Sequence, residues 1–138
     1  MTRVTPPPGF EPSERTGPFV ELIGPLFVKE DDRGIVLGLC ARDELLNARG
    51  FVHGGILAAI ADLVLGRNVV LRSTAETRAV TASLTIHFLS PARPGEWIEA
   101  SATVPRVGSR LGVATALITA DGRPVAQASG VFAMGDGR

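Results

Sequence analysis

Residues 51–66 read FVHGGILAAIADLVLG, an apolar stretch in which Asp62 carries the one formal charge at neutral pH. The apolar spacing predicts a long helix from about Gly54 to Leu71. Burying an unpaired carboxylate costs on the order of several kcal/mol or raises its pKa, so a purely structural helix would carry alanine or leucine here. Asp62 is therefore a candidate functional residue. The competing interpretation is a structural aspartate paired with an arginine.

One face of the predicted helix consists of small residues and the acid. At about 100° per residue, the bulky side chains fall on the opposite arc and are expected to face the body of the domain. A stripe of small residues lets another backbone or a ligand come close, with Asp62 in its middle. The stripe contains Gly55, Ala58, Ala59, Asp62 and Gly66, and the bulky arc contains Ile56, Leu57, Ile60, Leu63 and Val64.

Composition limits the classes of partner. The chain has 138 residues, enough for one domain with its own core. Lys+Arg and Asp+Glu each number 14, so no overall field attracts nucleic acid or an anionic membrane. The single cysteine, Cys40, cannot form an internal disulfide, and we expect a cytoplasmic protein without a metal site. No apolar run is expected to reach transmembrane length, because Asp62 interrupts residues 51–66 and Arg67 follows them.

The chain divides into a short tail and one folded domain. Five of its ten prolines lie in residues 1–18, so we expect an extended or mobile Pro-rich tail there and the domain in residues 19–138. A short helix from Phe19 and a hairpin of residues 26–30 and 35–40 precede the long helix. Four strands follow it, at about 78–90, 96–105, 109–119 and 124–133.

This order of elements predicts an α+β fold. A single helix this apolar needs covering on nearly every side, so we expect the sheet to curl around it. The predicted architecture is a curved antiparallel sheet wrapped around one long central helix.

The start of the helix offers backbone donors. The first amides of a helix lack internal partners, and Gly54 and Gly55 leave theirs unshielded, so they can stabilise charge on a carbonyl oxygen. Alternatively, His53-Gly54-Gly55 is only a tight entrance to the helix. At 1.5 Å rise per residue Gly54 and Asp62 lie about 12 Å apart, so one carbonyl cannot touch both. If both serve one site, they come from two antiparallel helices, which predicts a symmetric homodimer.

Several motifs resemble the signature of hotdog-fold acyl-CoA thioesterases. The helix motif is Asn47, Gly50, His53-Gly54-Gly55 and Asp62. The likeness continues through residues 80–95 and 125–128 and spans about residues 20–134. Within that superfamily the chain is most similar to the phenylacetate-pathway (PaaI-like) type, which carries Asp rather than Glu on the helix. The resemblance implies the hotdog fold and a homodimer, with a dimer of dimers as an open alternative.

The resemblance also implies an activity and a role for each motif residue. The protein would hydrolyse an acyl-CoA thioester to a free acid and coenzyme A, without metal or other cofactor. Gly54 would donate its amide to the thioester carbonyl, and Asn47 would help to hold the substrate or the attacking water. Asp62 of the other subunit would act as general base or nucleophile, two roles that the sequence does not separate. His53 would orient the loop, and with Gly55 it would line the substrate site.

Thr81 matches a position at which relatives carry a Ser or Thr that assists the water. Thr81, Ser83, Thr85 and His87 share one strand face, opposite the apolar face that packs under the helix. Thr81 therefore points away from the helix unless a bulge reverses the alternation. We expect His87 to be a sheet-surface or interface residue.

Coenzyme A brings phosphates, and Arg93 and Arg110 are candidate contacts because they lie at strand ends near glycines.

Two other functions stay open. A non-catalytic acyl-CoA binding or sensing protein would need no buried base at Asp62. A hydratase or dehydratase is expected to pair Asp and His on one segment, whereas His53 and Asp62 are off the usual helical neighbour spacing.

Overall fold

The computed structural model describes residues 5–74 and 77–135. Seven strands form one antiparallel sheet in the order β1-β2-β3-β5-β6-β7-β4. The strands are β1 (Glu11–Pro12), β2 (Leu26–Asp31), β3 (Gly34–Cys40), β4 (Arg78–Phe88), β5 (Trp97–Val107), β6 (Leu111–Ala120) and β7 (Arg123–Gly135); the helices are α1 (Pro18–Ile23) and α2 (Gly54–Arg72), with a 3₁₀ turn at Asp43–Leu45.

Helix α2 fills the inside of the curved sheet, which confirms the predicted hotdog architecture. It contacts β3 to β7, and its buried face centres on Ala61 and Val64. Each large apolar side chain buried on this face contributes about 1.5–3 kcal/mol. Ile56 and Leu63, expected to face the body of the domain, are only partly buried because they lie on the flank of this face. The residues that α2 buries are Leu57, Ile60, Ala61, Val64, Leu65, Asn68 and Val69.

Helix α2 is long and apolar enough, by length and composition alone, to cross a membrane. The expectation that Asp62 and Arg67 exclude this was wrong, because two charges do not outweigh the apolar residues around them. The fold accounts for the composition differently. Ile60 and Leu65 are fully buried against the sheet, as the central helix of the domain requires.

One side of α2 stays open in the single chain. The stripe of Gly55, Ala58, Ala59, Asp62 and Gly66 is partly buried or exposed along its whole length. We expected cover on nearly every side, and the described part of the chain covers only the sheet-facing side. Strand β4 runs beside this open side and pairs only with β7, so its other edge is unpaired within the described sheet.

The N-terminal segment packs on the outer face of the sheet. Strand β1 pairs with β2, and Phe10 is buried with Phe27 and Val36. The Phe10 ring meets the edge of Trp97 at 5.2 Å between centroids. The predicted tail of residues 1–18 was therefore wrong from Phe10 onward, because one aromatic residue among the prolines finds an apolar partner across the sheet.

Asn68 ties the β2–β3 hairpin to the helix. Its Oδ1 accepts a hydrogen bond from the Ile35 N–H at 3.0 Å, and its Nδ2 donates to the Ile35 carbonyl at 2.9 Å and to the Val64 carbonyl at 2.8 Å. A Cβ on Gly34, whose φ is +110°, would collide with the same Oδ1. The glycine in the hairpin turn therefore leaves the space that the Asn68 side chain occupies.

Asn68→Ala should lower the free energy of unfolding by about 2–4 kcal/mol, because it leaves the Ile35 N–H and carbonyl without partners and opens a cavity. Urea unfolding measures the change. Arg72→Ala, at an exposed position of the same helix, is the matched control and should stay within about 0.5 kcal/mol of the wild type. Equal midpoints for the two variants would show that Asn68 is not a structural anchor.

Candidate active site

Asp62 lies on the open side of α2, half-buried, and faces strand β4. The Thr81 hydroxyl Oγ1 donates to Asp62 Oδ1 at 2.6 Å. Among the described residues, Oδ2 has no hydrogen-bond partner and no arginine forms a salt bridge with Asp62. The described part of the chain therefore does not support the interpretation of Asp62 as a structural aspartate paired with an arginine. One carboxylate oxygen is fixed in place and the other is available to a ligand.

A β-bulge turns Thr81 toward the helix. The register of β4 against β7 shifts between Thr81 and Ser83, which leaves Ala82 as the extra residue. Ala79 packs on the core before the bulge, whereas Leu84 packs on it after the bulge, so the alternation reverses. Regular alternation would direct Thr81 away from the helix, and the bulge is the feature that lets it reach Asp62.

His53 caps the start of α2. Its Nδ1 accepts a hydrogen bond from the Gly55 N–H at 2.8 Å. The expectation that both glycine amides are available was wrong for Gly55, because the preceding side chain occupies its amide. The Gly54 N–H has no partner among the described residues. Gly54 is thus the one of the two amides that can donate to a ligand.

Asn47 shapes the loop before the helix. Its Oδ1 accepts from the backbone N–H groups of Arg49, at 2.9 Å, and Phe51, at 3.2 Å. The turn continues through Gly50, whose φ of +85° favours glycine. Oδ1 is thus occupied by the loop, and Nδ2 has no hydrogen-bond partner among the described residues.

Two separate clefts contain these groups. The first, here called the Gly54 cleft, has a volume of about 340 Å³ and is lined by Asn47, Gly54 and Phe88 among others. The second, here called the Asp62 cleft, has a volume of about 520 Å³ and includes Thr81. They share no lining residue, as the separation of about 12 Å along the helix requires. One chain does not bring Gly54 and Asp62 to the same point.

The arginines near the clefts differ from those predicted. Arg93 and Arg110 line neither cleft, and the Arg93 backbone N–H donates to Glu96 Oε2 at 2.7 Å. Their contact with coenzyme A phosphates stays a prediction. Arg49 lines the Gly54 cleft, and three arginines that sequence reasoning missed line the Asp62 cleft. Those three are Arg15, Arg67 and Arg78.

Arg67 is the arginine held most firmly in the Asp62 cleft. Its guanidinium donates to Ser13 Oγ at 3.1 Å and to the Arg15 carbonyl at 2.9 Å. Burial lowers the pKa of Arg67 below its usual value, and the charge of Arg15 lowers it further. The sequence shows that Arg67 follows Asp62 by five residues on the same helix, and this could have suggested that it lies near the site. The long-range contact with residues 13–15 cannot be seen in the sequence.

His87 lies on the outer face of the sheet, away from both clefts. It lines a surface depression with Thr85, Gln127 and Ser129. His87 is not among the residues that line either cleft. The position agrees with the expected sheet-surface residue.

The sheet wrapped around α2 defines a hotdog-fold protein. The chain belongs to the thioesterase superfamily, because the model of that family matches residues 49–127. The match includes the start of α2, Asp62 and Thr81.

Individual relatives agree with the family and confirm the predicted resemblance to the PaaI-like type. A Pseudomonas aeruginosa protein described as a "putative esterase" is 36% identical over 127 residues, which cover 91% of this chain and 95% of the relative. The mutant phenylacetic acid degradation protein PaaI from Thermus thermophilus is 26% identical, with TM-score 0.75 over 85% of this chain and 98% of that one. A Bacillus halodurans protein solved with CoA is 29% identical, with TM-score 0.67 over 71% of this chain and 69% of that one.

Proposed function

We propose that this protein hydrolyses an acyl-CoA thioester to a free acid and coenzyme A. The observation that carries the proposal is the Asp62 carboxylate, which lines a cleft, accepts a hydrogen bond from the Thr81 hydroxyl at 2.6 Å and has a second oxygen without a partner among the described residues. Membership of the thioesterase superfamily supports the reaction type. The relative solved with CoA supports coenzyme A as the leaving group.

The open oxygen of Asp62 has two possible roles in the reaction. As general base it takes a proton from water while the water oxygen attacks the thioester carbon, and that proton then goes to the departing thiolate. As nucleophile it attacks the carbon itself, the C–S bond breaks and coenzyme A leaves as a thiolate that takes a proton from water; water then hydrolyses the resulting mixed anhydride, which releases the free acid and restores the Asp62 carboxylate. In both cases Thr81 is a positioning residue for the carboxylate.

The free amide of Gly54 supplies the stabilising donor. Negative charge develops on the thioester oxygen as the carbonyl carbon becomes tetrahedral, and a fixed N–H at the positive end of a helix stabilises that charge. Asn47 lines the same cleft, and in this proposal its Nδ2 amide holds the substrate or the attacking water. His53 acts indirectly, because its bond to the Gly55 N–H fixes the start of the helix.

The complete site requires two subunits in this proposal. A reacting carbonyl needs contacts of about 3 Å to both groups, and about 12 Å separate Gly54 from Asp62 on one helix. Two antiparallel copies of α2 would bring the Gly54 cleft of one chain to the Asp62 cleft of the other. The open stripe of small residues, the unpaired edge of β4 and the 67% exposure of Val80 support this contact. A dimer of such dimers is compatible with it.

A panel of aromatic and aliphatic acyl-CoAs, assayed for thiol release, tests the activity.

The Gly54→Ala variant tests the mechanism. The added methyl would lie 3.1 Å from the Phe88 ring, which is 57% exposed and can turn aside. The methyl crowds the approach of the carbonyl, so we expect turnover to fall about a hundredfold with little change in affinity for a non-hydrolysable analogue.

Gly135→Ala is the matched control, since a Cβ there meets no atom within 4 Å. Calorimetry with the analogue, run beside the thiol-release assay, separates the two effects of Gly54→Ala. Equal losses of affinity and turnover efficiency would mean that Gly54 only shapes the cleft. A binding protein would show no hydrolysis in either form and an affinity loss as the main effect.

A further inference from the structure

The Asp62 cleft carries more positive than negative charge. Arg15, Arg67 and Arg78 line it, and Asp62 is the one acid among its described lining residues. None of the three arginines forms a salt bridge within residues 5–74 and 77–135. The proposed hydrolysis uses Asp62 and the Gly54 amide at the carbonyl and gives no role to these three arginines. The excess positive charge therefore needs a separate explanation.

Arg67 is partly buried beside a second positive charge, Arg15. Among the described residues its guanidinium donates to two neutral acceptors, Ser13 Oγ and the Arg15 carbonyl, so that most of its five N–H groups have no partner there. Burial and the neighbouring Arg15 charge both disfavour the protonated guanidinium. An anion in the cleft would offset both effects, because it would pair with two guanidinium groups at once.

We propose that Arg67 and Arg15 bind an anionic group of the thioester substrate, either a carboxylate on the acyl chain or a phosphate of coenzyme A. This inference rests on the proposed function. Arg67 lies about 7.5 Å beyond Asp62 along the helix, so the bound anion is close to the reacting carbonyl. A phosphate lies at the far end of the long pantetheine arm, and this distance favours a terminal carboxylate on the acyl group.

The apolar part of the lining of the Asp62 cleft suits such a chain. Leu63, Gly66, Val70 and Phe132 line the cleft and present apolar surface to it. Methylene groups placed there would leave water, with a gain of about 0.8 kcal/mol for each one fully buried. A dicarboxylic acyl-CoA would then have its thioester at Asp62 and its free carboxylate at the arginines.

The test compares dicarboxylic acyl-CoAs with monocarboxylic acyl-CoAs of matched chain length. We expect the wild type to favour the dicarboxylic thioesters by about tenfold or more in kcat/KM. Arg67→Gln and Arg15→Gln should each move that ratio toward one. Arg15→Gln keeps the backbone carbonyl that accepts from Arg67, so it removes the charge without loosening the N-terminal segment. Arg72→Gln makes the same charge change at an exposed position on α2, outside the cleft, and should leave the ratio unchanged.

Pantetheine thioesters, which lack the phosphates, identify the source of the anion. If the two variants raise KM for coenzyme A thioesters but not for pantetheine thioesters, the arginines bind a phosphate. The anion site is refuted if both variants have the same kcat/KM as Arg72→Gln on every substrate, or if they lose kcat/KM by the same factor on all substrates. Arg67 then only holds the N-terminal segment.

Calorimetry with Asp62→Asn protein compares the affinities of the same thioesters without turnover. Equal affinities for the dicarboxylic and monocarboxylic thioesters would refute the acyl-carboxylate source whether or not the wild type hydrolyses them. Hydrolysis without any arginine effect would refute the anion site alone. Absence of hydrolysis across the whole panel would instead refute the proposed function.

Discussion

Replacing Asp62 with asparagine should leave a folded protein whose acyl-CoA hydrolysis falls by about a hundredfold or more. Asparagine keeps the volume of the side chain, and its Oδ1 can still accept the hydrogen bond from the Thr81 hydroxyl. It removes both the proton acceptor and the negative charge from the oxygen that is open to the cleft. Stability should be unchanged or slightly higher, because a partly desolvated charge is lost. Thiol release and urea unfolding, measured on one preparation, separate these two effects.

Two comparisons make the Asp62→Asn result specific. Asp32→Asn removes an exposed carboxylate from the β2–β3 turn and should leave turnover unchanged. Thr81→Val should lower turnover because it releases the Asp62 carboxylate, and Thr81→Ser should recover most of the loss because it keeps the hydroxyl. Wild-type turnover by Asp62→Asn on every responsive acyl-CoA would exclude Asp62 as base or nucleophile.

The elements of the fold could be predicted because each has a strong local pattern. The apolar run of residues 51–66 and the turn-like segments between the later strands place α2 and β4 to β7 within about two residues of their observed limits. Thr81 shows where a local pattern stops being sufficient. Strict alternation directs it away from the helix, and only the bulge at Ala82, set by pairing with β7, brings it to Asp62.

The features that could not be predicted depend on contacts between distant parts of the chain. Phe10 lies in a proline-rich segment that reads as a tail, but it packs beside Trp97 because the sheet brings the two together. Arg67 looks like a helix surface residue until Ser13 and the Arg15 carbonyl are placed beside it. Such contacts join residues more than fifty positions apart, over which sequence periodicity carries no information.

The central claim is that each active site combines Gly54 of one subunit with Asp62 of another, and mixed dimers test it most directly. One chain carries Asp62→Asn and the other Gly54→Pro, with different affinity tags. Proline removes the Gly54 N–H and is favoured at the first position of a helix. His53 already has the extended backbone, with ψ of 134°, that the residue before a proline adopts.

Each parent homodimer should retain about 1% of wild-type turnover or less, because every site in it lacks one of the two groups. The purified mixed dimer, assayed for thiol release, should recover about half of the wild-type turnover, because one of its two sites receives an intact Gly54 and an intact Asp62. A mixed dimer as inactive as its parents would contradict the account, because it would place both groups of each site on the same chain.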